Sequence, residues 1–407
     1  MSQTTSRSET YPADPPPKPA RAGSVSSLPF AGLIEAVTVE EPANHSFAGS
    51  VARAHAQACW VWVYRDLCPD LIPRSAIDAG TYAAKDLEAV MPQVLTRMKE
   101  ALARSGKDAE EARRLRAMLG GDDERAAIPA VLNALRGRAL LSKAHTFGKA
   151  LNTMADEAAL TLALQSMPLQ DPPLASLLFH AALGHVANPT RLVTAVIKLA
   201  GNGTEAAVAR SGFTPLVEAI LAHAQNQIHL IRPGSGAFAD VDLVCRALDR
   251  FHRLVRSLSG YVEFTRGSLW AGILSAITKQ ASDSVEPRLR DVVPDINLAL
   301  RRGRENSLDR LDSDRILAAI SGVYLLATVR ACRDSLALNA TFDQVWSQSG
   351  QALEHYLQRN LDLYRENPGD AVVAARLEAG IKMAEIRFNP EYAETLRRAR
   401  AAAERRT

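Results

Sequence analysis

The residues best suited to chemistry in this chain are histidines, but their spacing forms no known metal-binding motif. His180 and His185 are five residues apart, and His223 and His229 are six apart. Two histidines present their nitrogens to one ion most readily at i and i+4 of a helix, where they share a face. We therefore expect neither pair to share a helix face. The sequence has no HExxH or CxxC motif, so we assign no metal-ligating residue and no cofactor.

Nucleophilic catalysis requires a serine or cysteine held beside a base, and one short segment combines such residue types. Ser142, Lys143 and His145 lie within one turn of a predicted helix, where we expect them to point in different directions. The GxSxG and SxxK signatures are absent from the sequence. The acidic pairs at 110–111 and 122–123 lie in charged stretches that we interpret as solvated. We therefore assign no catalytic residue.

Two glycine clusters could in principle cradle a phosphate. Gly201 and Gly203 belong to one cluster, and Gly234 and Gly236 to the other. Neither cluster is followed by the lysine of a P-loop, and neither follows a predicted strand. We interpret both as turns between helices and assign no cofactor-binding residue.

Three arginine-rich segments raise the question of nucleic acid. They span residues 113–116, 301–304 and 397–406, and acidic residues accompany each of them. The whole chain has 48 basic and 45 acidic residues, a net charge of +3. A nucleic-acid-binding surface normally concentrates far more positive charge, so we do not expect a nucleic-acid partner and interpret the last segment as a salt-bridged helix.

Cysteine usage and hydropathy indicate a protein of a reducing compartment. The four cysteines are scattered, which is typical of small core residues rather than a disulfide framework. The polar, proline-rich beginning of the chain lacks the apolar run of a secretory signal. Residues 316–329 form the longest uncharged stretch of interest, which is shorter than the ~20 apolar residues that cross a bilayer. We therefore predict a buried core helix there, no transmembrane segment and a cytoplasmic location.

Composition predicts the fold class. Ala, Leu and Arg dominate, and all three favour helices, whereas aromatic residues make up only 5% of the chain. Apolar residues recur with helical spacing along most of the sequence. Residues 33–39 are the best strand candidate, and a helix or a docked arm is the alternative for this segment. The sequence therefore predicts an all-α protein, either a multi-helix bundle or an irregular helical array, with a disordered N-terminal tail.

Helix starts are indicated where a residue that can cap a helix precedes proline. Such a residue accepts a hydrogen bond from the first turn, and proline lacks an N–H that the first turn could not use. We predict helix starts at four such pairs: Asp171-Pro172, Asn188-Pro189, Thr214-Pro215 and Asn389-Pro390.

Three regions are predicted along the chain. Residues 1–29 are rich in proline and serine and have few apolar side chains, which is typical of a disordered tail. Residues 30–137 form an N-terminal helical region, and residues 138–407 form the main helical domain. The glycines at 120–121 and 137 mark the possible breaks between them.

Three functions remain open from the sequence alone. Our leading hypothesis is a non-enzymatic interaction or scaffold protein with a protein partner, because no catalytic set is present. The first alternative is an enzyme or small-molecule binder with a pocket between helices. The second is a nucleic-acid or anionic-surface binder that uses the arginine clusters. The first alternative requires polar residues on several helices to converge on one pocket, and the candidates for it are His145, His180, His185, His223 and Arg191.

Overall fold

The computed structural model describes residues 29–40, 44–232, 240–302 and 312–405. Within these residues the chain forms seventeen α-helices and one short sheet of two strands. The all-α class is confirmed. The tail predicted at residues 1–29 lies outside the described residues except for Pro29, where the first helix begins.

The first eight helices are α1 Pro29–Ile34, α2 Arg53–Trp62, α3 Arg74–Asp78, α4 Ala84–Ser105, α5 Ala109–Leu119, α6 Asp122–Thr153, α7 Glu157–Gln165 and α8 Pro172–Leu183. A 3-10 turn, Glu35–Val37, follows α1, and a short π-helix, Val63–Leu67, follows α2.

The other nine helices are α9 Pro189–Ala200, α10 Glu205–Arg210, α11 Thr214–Ile231, α12 Val241–Ser259, α13 Leu269–Leu300, α14 Ser313–Cys332, α15 Asn339–Glu366, α16 Ala371–Arg387 and α17 Pro390–Glu404. A 3-10 turn, Arg333–Ser335, follows α14.

The strand candidate at residues 33–39 is mostly helical, the alternative that its sequence left open. Most of that segment belongs to α1 and the 3-10 turn, and only β1, Thr38–Val39, is extended. It pairs in parallel with β2, Val51–Ala52, which brings Thr38 opposite Val51. Apolar runs this short do not distinguish a buried helix from a strand, because both bury nearly every side chain. The two-residue ladder closes a loop that the site described below depends on.

Helices begin at all four predicted proline pairs. The side chains of Asp171, Asn188 and Asn389 each accept a hydrogen bond from a backbone N–H two or three residues further along. The helix at the fourth pair, α11, begins with Thr214 itself, and Phe213 precedes it without a side-chain cap. The capping pattern therefore located the helices correctly, although it assigned the wrong role to Thr214.

Two apolar cores share helices α6 and α8, and Leu151 near the end of α6 belongs to the larger core. The N-terminal core gathers buried side chains of α1, α2, α4, α5 and α6, and the larger core gathers those of α7 through α17. Helix α8 contributes to both, since Leu177 and Ala181 pack into the first core while Phe179 and Leu183 pack into the second. Polar residues of α8 that belong to neither core therefore lie at the junction between them.

The boundary predicted at residue 137 falls inside a helix. Gly137 is part of α6, which runs without interruption from Asp122 to Thr153. By contrast, Gly120 has a φ of 103° and ends α5, as a glycine in the left-handed region commonly does. Leu141, beyond the proposed boundary, packs in the N-terminal core. The division into regions 30–137 and 138–407 stays a prediction.

One helix in the described part of the chain, Ser313–Ser335, is long and apolar enough to cross a membrane. It is weak evidence for a membrane span, because a core helix passes the same test. Ala319, Val323 and Leu326 are buried, whereas Leu317 is 44% exposed and Tyr324 is 43% exposed. The predicted core helix therefore buries one face and presents the other to its surroundings. The cytoplasmic location stays a prediction.

Candidate ligand-binding site

Four histidines from three helical segments converge on one cavity. His145 projects from α6, His180 from α8 and His223 from α11, and His185 follows the end of α8. The cavity has a volume of about 790 Å³. This histidine cavity lies where the two apolar cores meet. A cavity of ~300–1,000 Å³ with a few convergent polar groups is typical of a small-molecule site.

A close helix crossing brings His145 to the cavity. Gly148, one turn after His145, faces the backbone of Ala182 on α8, and a Cβ atom there would be 2.2 Å from the Ala182 carbonyl oxygen. Only glycine permits the two backbones to approach so closely. Because His185 follows Ala182 by three residues, the crossing places its imidazole against that of His145, with 3.8 Å between the ring centroids.

Two side chains hold the turn that carries His185. Asn152 of α6 donates to the carbonyl oxygen of His185 at 2.7 Å and accepts from the backbone N–H of Ala187 at 2.8 Å. Arg250 of α12 donates to the carbonyl oxygen of Leu183 at 2.8 Å, which satisfies an acceptor at the end of α8. The turn is therefore fixed by α6 and α12, and His185 lines the same cavity as His180.

The second imidazole pair joins α8 to α11. The rings of His180 and His223 are 4.3 Å apart between centroids. Nε2 of His223 lies 2.8 Å from the carbonyl oxygen of His180, so this nitrogen carries the hydrogen and donates it. Within the described residues, the buried Nδ1 of His180 has no hydrogen-bond partner. A buried nitrogen without a partner is costly, and a bound molecule could satisfy it.

Burial sets the charge of three imidazoles. It lowers the pKa of His180 well below the usual value, and the neighbouring His223 adds to the effect. Burial also lowers the pKa of His223 to about 4. The pKa of His185 is lowered by burial and by His145. These three side chains are therefore neutral at pH 7, and a neutral imidazole offers one N–H donor and one acceptor nitrogen.

Two carboxylates line the cavity, and each is in an ion pair. Glu88 accepts from Nε of Arg138 at 2.8 Å and 2.9 Å, and this guanidinium also lines the cavity. Glu35, in the 3-10 turn after α1, accepts from Arg53 at 2.8 Å and 3.3 Å. Arg53 also pairs with Glu40 at 2.7 Å, so one arginine faces two carboxylates there, whereas Glu88 and Arg138 form a pair of their own.

A second cavity adjoins the first. It has a volume of about 610 Å³ and is lined by three more histidines, His45, His55 and His229. Asn226 lines both cavities, because it lies between His223 and His229 on α11. His223 and His229 thus line different cavities, as expected for two histidines that do not share a helix face.

The segment that lines the second cavity is held by α11. Residues 44–52, here called the docked segment, contact Gln225, whose side chain is buried. Gln225 accepts from the backbone N–H of His45 at 3.0 Å and donates to its carbonyl oxygen at 2.8 Å. Asn226 accepts from the backbone N–H of Glu40 at 2.9 Å. Two consecutive amide side chains therefore fix the loop closed by β1 and β2.

Other candidates from the sequence behave differently. Arg191 does not line the histidine cavity, since its guanidinium donates to the carbonyl oxygen of Met154. Ser142 and His145 both line it, so the expectation that they point in different directions is wrong. Residues at i and i+3 are neighbours on a helix surface, which is why the two side chains reach the same cavity. Gly201, with a φ of 83°, ends α9 as predicted, and Gly234 and Gly236 lie outside the described residues.

No group of three or more His, Cys, Asp or Glu side chains in the described residues is placed to hold a metal ion. The four cysteines, Cys59, Cys68, Cys245 and Cys332, are free and buried. Burial raises the pKa of the Cys59 thiol to about 12, which keeps it protonated and unreactive.

Ion pairs accompany the arginines of α17. Arg400 lies 2.8 Å from Glu378 and 3.2 Å from Glu404, and Arg397 pairs with Glu385. This arrangement agrees with the salt-bridged last helix predicted from the sequence. Arg304, of the central arginine segment, lies outside the described residues.

Comparison of this chain with protein-family models, with curated proteins and with solved structures gives no match.

Proposed function

We propose that this protein binds a small polar molecule in the histidine cavity. The observation that supports the proposal is the convergence of His145, His180, His185 and His223, from three separate parts of the chain, on one cavity. Such convergence is what the small-molecule alternative requires. A polar ligand would contact the imidazoles and supply the partner that Nδ1 of His180 lacks among the described residues.

The lining of the cavity suits a ligand with both hydrogen-bond donors and acceptors. Neutral imidazoles, the hydroxyls of Thr38 and Ser142 and the amide of Asn226 can each donate or accept. Apolar contact is available from Leu33 and Leu141.

The test fills the cavity with a side chain. Ala139 of α6 lines the cavity and is otherwise exposed, so Ala139→Trp adds an indole without disturbing a core. Thermal unfolding is measured for the full chain in the presence of a panel of small neutral, acidic and basic compounds. Ala402→Trp, at an exposed position of α17, is the matched control.

We expect at least one compound to stabilise the wild-type protein and Ala402→Trp, but not Ala139→Trp. A ligand at a hundred times its Kd stabilises by ~2.7 kcal/mol, which a thermal scan resolves. Equal stabilisation of all three proteins would place the ligand elsewhere, and a panel without any stabilising compound would count against the proposal.

The interaction role that we expected from the sequence stays a prediction with its own test. A pull-down with and without residues 1–29 should recover a protein partner if that role exists. Recovery of no partner by either form would argue against it.

A further inference from the structure

The second cavity is bounded by one face of α6 and one face of α11. Residues three or four apart share a helix face. The α11 face consists of Ala222, Gln225, Asn226 and His229, and the α6 face consists of Asp123, Ala126, Ala127 and Ala130. Alanine side chains are short, which contributes to the volume of about 610 Å³ in front of them. Ala126 and Ala130 are exposed, so a small molecule can reach this wall from solvent.

The aspartate and glutamate side chains in this wall have no basic counterpart there. Glu40 and Asp123 line the second cavity, and no lysine or arginine does so among the described residues. The histidine cavity differs, because Arg138 is part of its wall. Glu40 accepts from Nε of Arg53 at 2.7 Å, but the same guanidinium also pairs with Glu35. Two carboxylates thus share one arginine, which leaves one negative charge uncompensated within this group.

Asp123 carries the other negative charge of the cavity. It is exposed and has no ion pair within the described parts of the chain. Its neighbour Asp122 does not line the cavity, and it lies 3.2 Å from Arg116 and 3.9 Å from Arg125. A carboxylate without a partner in a cavity wall raises the local concentration of cations. The charges of the wall therefore favour a positively charged ligand.

Hydrogen-bond acceptors of this wall suit a ligand that donates. Nε2 of His45 is buried and has no hydrogen-bond partner among the described residues, although Gln225 fixes the backbone of the same residue. An imidazole nitrogen can accept a hydrogen bond, and a buried polar atom without a partner is costly. The hydroxyls of Ser46 and Ser50 also line the cavity and can accept. Carboxylate, hydroxyl and imidazole acceptors thus belong to one cavity.

We propose that the second cavity binds a small organic cation, an alkylammonium ion that donates to Asp123 and to the neutral acceptors of the wall. An ammonium group has three donors and no acceptor. Its hydrogen bond to a carboxylate is about twice as strong as a neutral one. Val39 and Val51 offer apolar contact to the alkyl chain. A metal ion does not fit, since no group of three or more His, Cys, Asp or Glu side chains in the described residues is placed to hold one.

Calorimetric titration of the full chain at pH 8 tests the proposal with three molecules that share a four-carbon chain. Its ends carry ammonium groups in 1,4-diaminobutane, hydroxyls in 1,4-butanediol and carboxylates in succinate. Alkylammonium groups, with a pKa of ~10, stay protonated at pH 8. We expect the diamine to bind and the other two to give no binding signal. Added salt should weaken the binding of the diamine, because salt screens the attraction between charges near the surface.

Variants locate the cation. Asp123→Asn should weaken binding of the diamine about tenfold or more, since it removes a charge-assisted hydrogen bond. Asp122→Asn makes the same change at the adjacent residue outside the wall, and it should leave the affinity unchanged. Ala126→Trp, at an exposed lining position, fills the second cavity and should abolish binding. Ala139→Trp fills the histidine cavity instead and should have no effect on the diamine. Circular dichroism checks that each variant is folded.

The proposal does not rest on the function proposed for the histidine cavity, and the two fail separately. Absence of binding by 1,4-diaminobutane would overturn it, and so would equal binding of the diol or of succinate. Equal losses in Asp123→Asn and Asp122→Asn would place the cation elsewhere and would also overturn it. If Ala139→Trp abolishes binding of the diamine and Ala126→Trp does not, the ligand lies in the histidine cavity, so the proposed function stands and this proposal is wrong.

Discussion

Gly148 of α6 lies directly against the carbonyl oxygen of Ala182 on α8, closer than any residue with a side chain could approach. Gly148→Ala should destabilise the protein by ~1–3 kcal/mol, as overpacking in a tight core does, and should also separate His145 from His185. Urea unfolding measures the first effect, and titration with the cavity ligand measures the second.

Gly272→Ala is the control for this substitution. Gly272 also lies within a helix, α13, but a Cβ atom there would meet nothing within 4 Å. Alanine has the higher helix propensity, so this variant should be up to ~1 kcal/mol more stable than the wild type. Destabilisation by both variants to the same extent would show that the crossing of α6 and α8 is not as close as described.

Stability should depend on pH through the cavity histidines. The pKa values of His180, His185 and His223 are lowered in the folded protein, so the unfolded chain binds more protons as the pH falls below its histidine pKa of ~6.5. Their contribution is complete above that pH and is lost as the pH falls toward about 4, the pKa of His223. The free energy of unfolding should thus rise with pH in this window, by up to ~1.4 kcal/mol per pH unit for each histidine.

Urea unfolding at several pH values between 6.5 and 5 measures this slope. His223→Gln retains a donor for the carbonyl oxygen of His180 and should reduce the slope by about one proton. His229→Gln, at an exposed position, should leave it unchanged. A slope that is identical in all three proteins would contradict the assignment.

The docked segment should loosen when its amide anchor is removed. Gln225→Met keeps the length of the side chain but leaves the backbone N–H and C=O of His45 without their partner, at a cost of ~1–3 kcal/mol. Hydrogen exchange at residues 44–52 should become faster. Gln280→Met removes only the exposed contact with Asn44 and should have little effect. Equal protection in both variants would mean that Gln225 does not hold the segment.

Loss of the side chain before proline should affect stability differently at two of the predicted helix starts, Asn389-Pro390 and Thr214-Pro215. Asn389→Ala removes the acceptor for the N–H of Tyr392 at 2.8 Å and should cost ~1 kcal/mol. Thr214→Ala should cost less than ~0.5 kcal/mol, since Thr214 makes no cap hydrogen bond among the described residues. Chemical denaturation of the two variants compares them directly, and equal losses would argue against the difference in capping.

The features that could be predicted from the sequence are those that depend on consecutive residues. The cap-proline pairs located four helix starts because a cap involves only two to four consecutive residues. The extent of α6 was missed because Gly137 resembles a helix end in sequence, although its neighbours continue the helix in the structure. Whether a glycine ends a helix depends on its backbone angles, which packing decides.

The histidine cavity could not be derived from spacing alone. His145 and His223 are far apart in the chain, and only the packing of α6 and α11 against α8 brings them together. The i and i+3 relation of Ser142 and His145 was visible in the sequence and could have indicated a shared face. The Gly148 crossing was not visible, because the sequence does not state which helix faces that glycine.

Asn226 borders both histidine cavities and accepts a hydrogen bond from the backbone N–H of Glu40. One side chain therefore contributes to the walls of two compartments and anchors the chain beside them. Replacement of this amide would alter both compartments in a single step, whereas a change at His145 or at His229 alters one compartment alone.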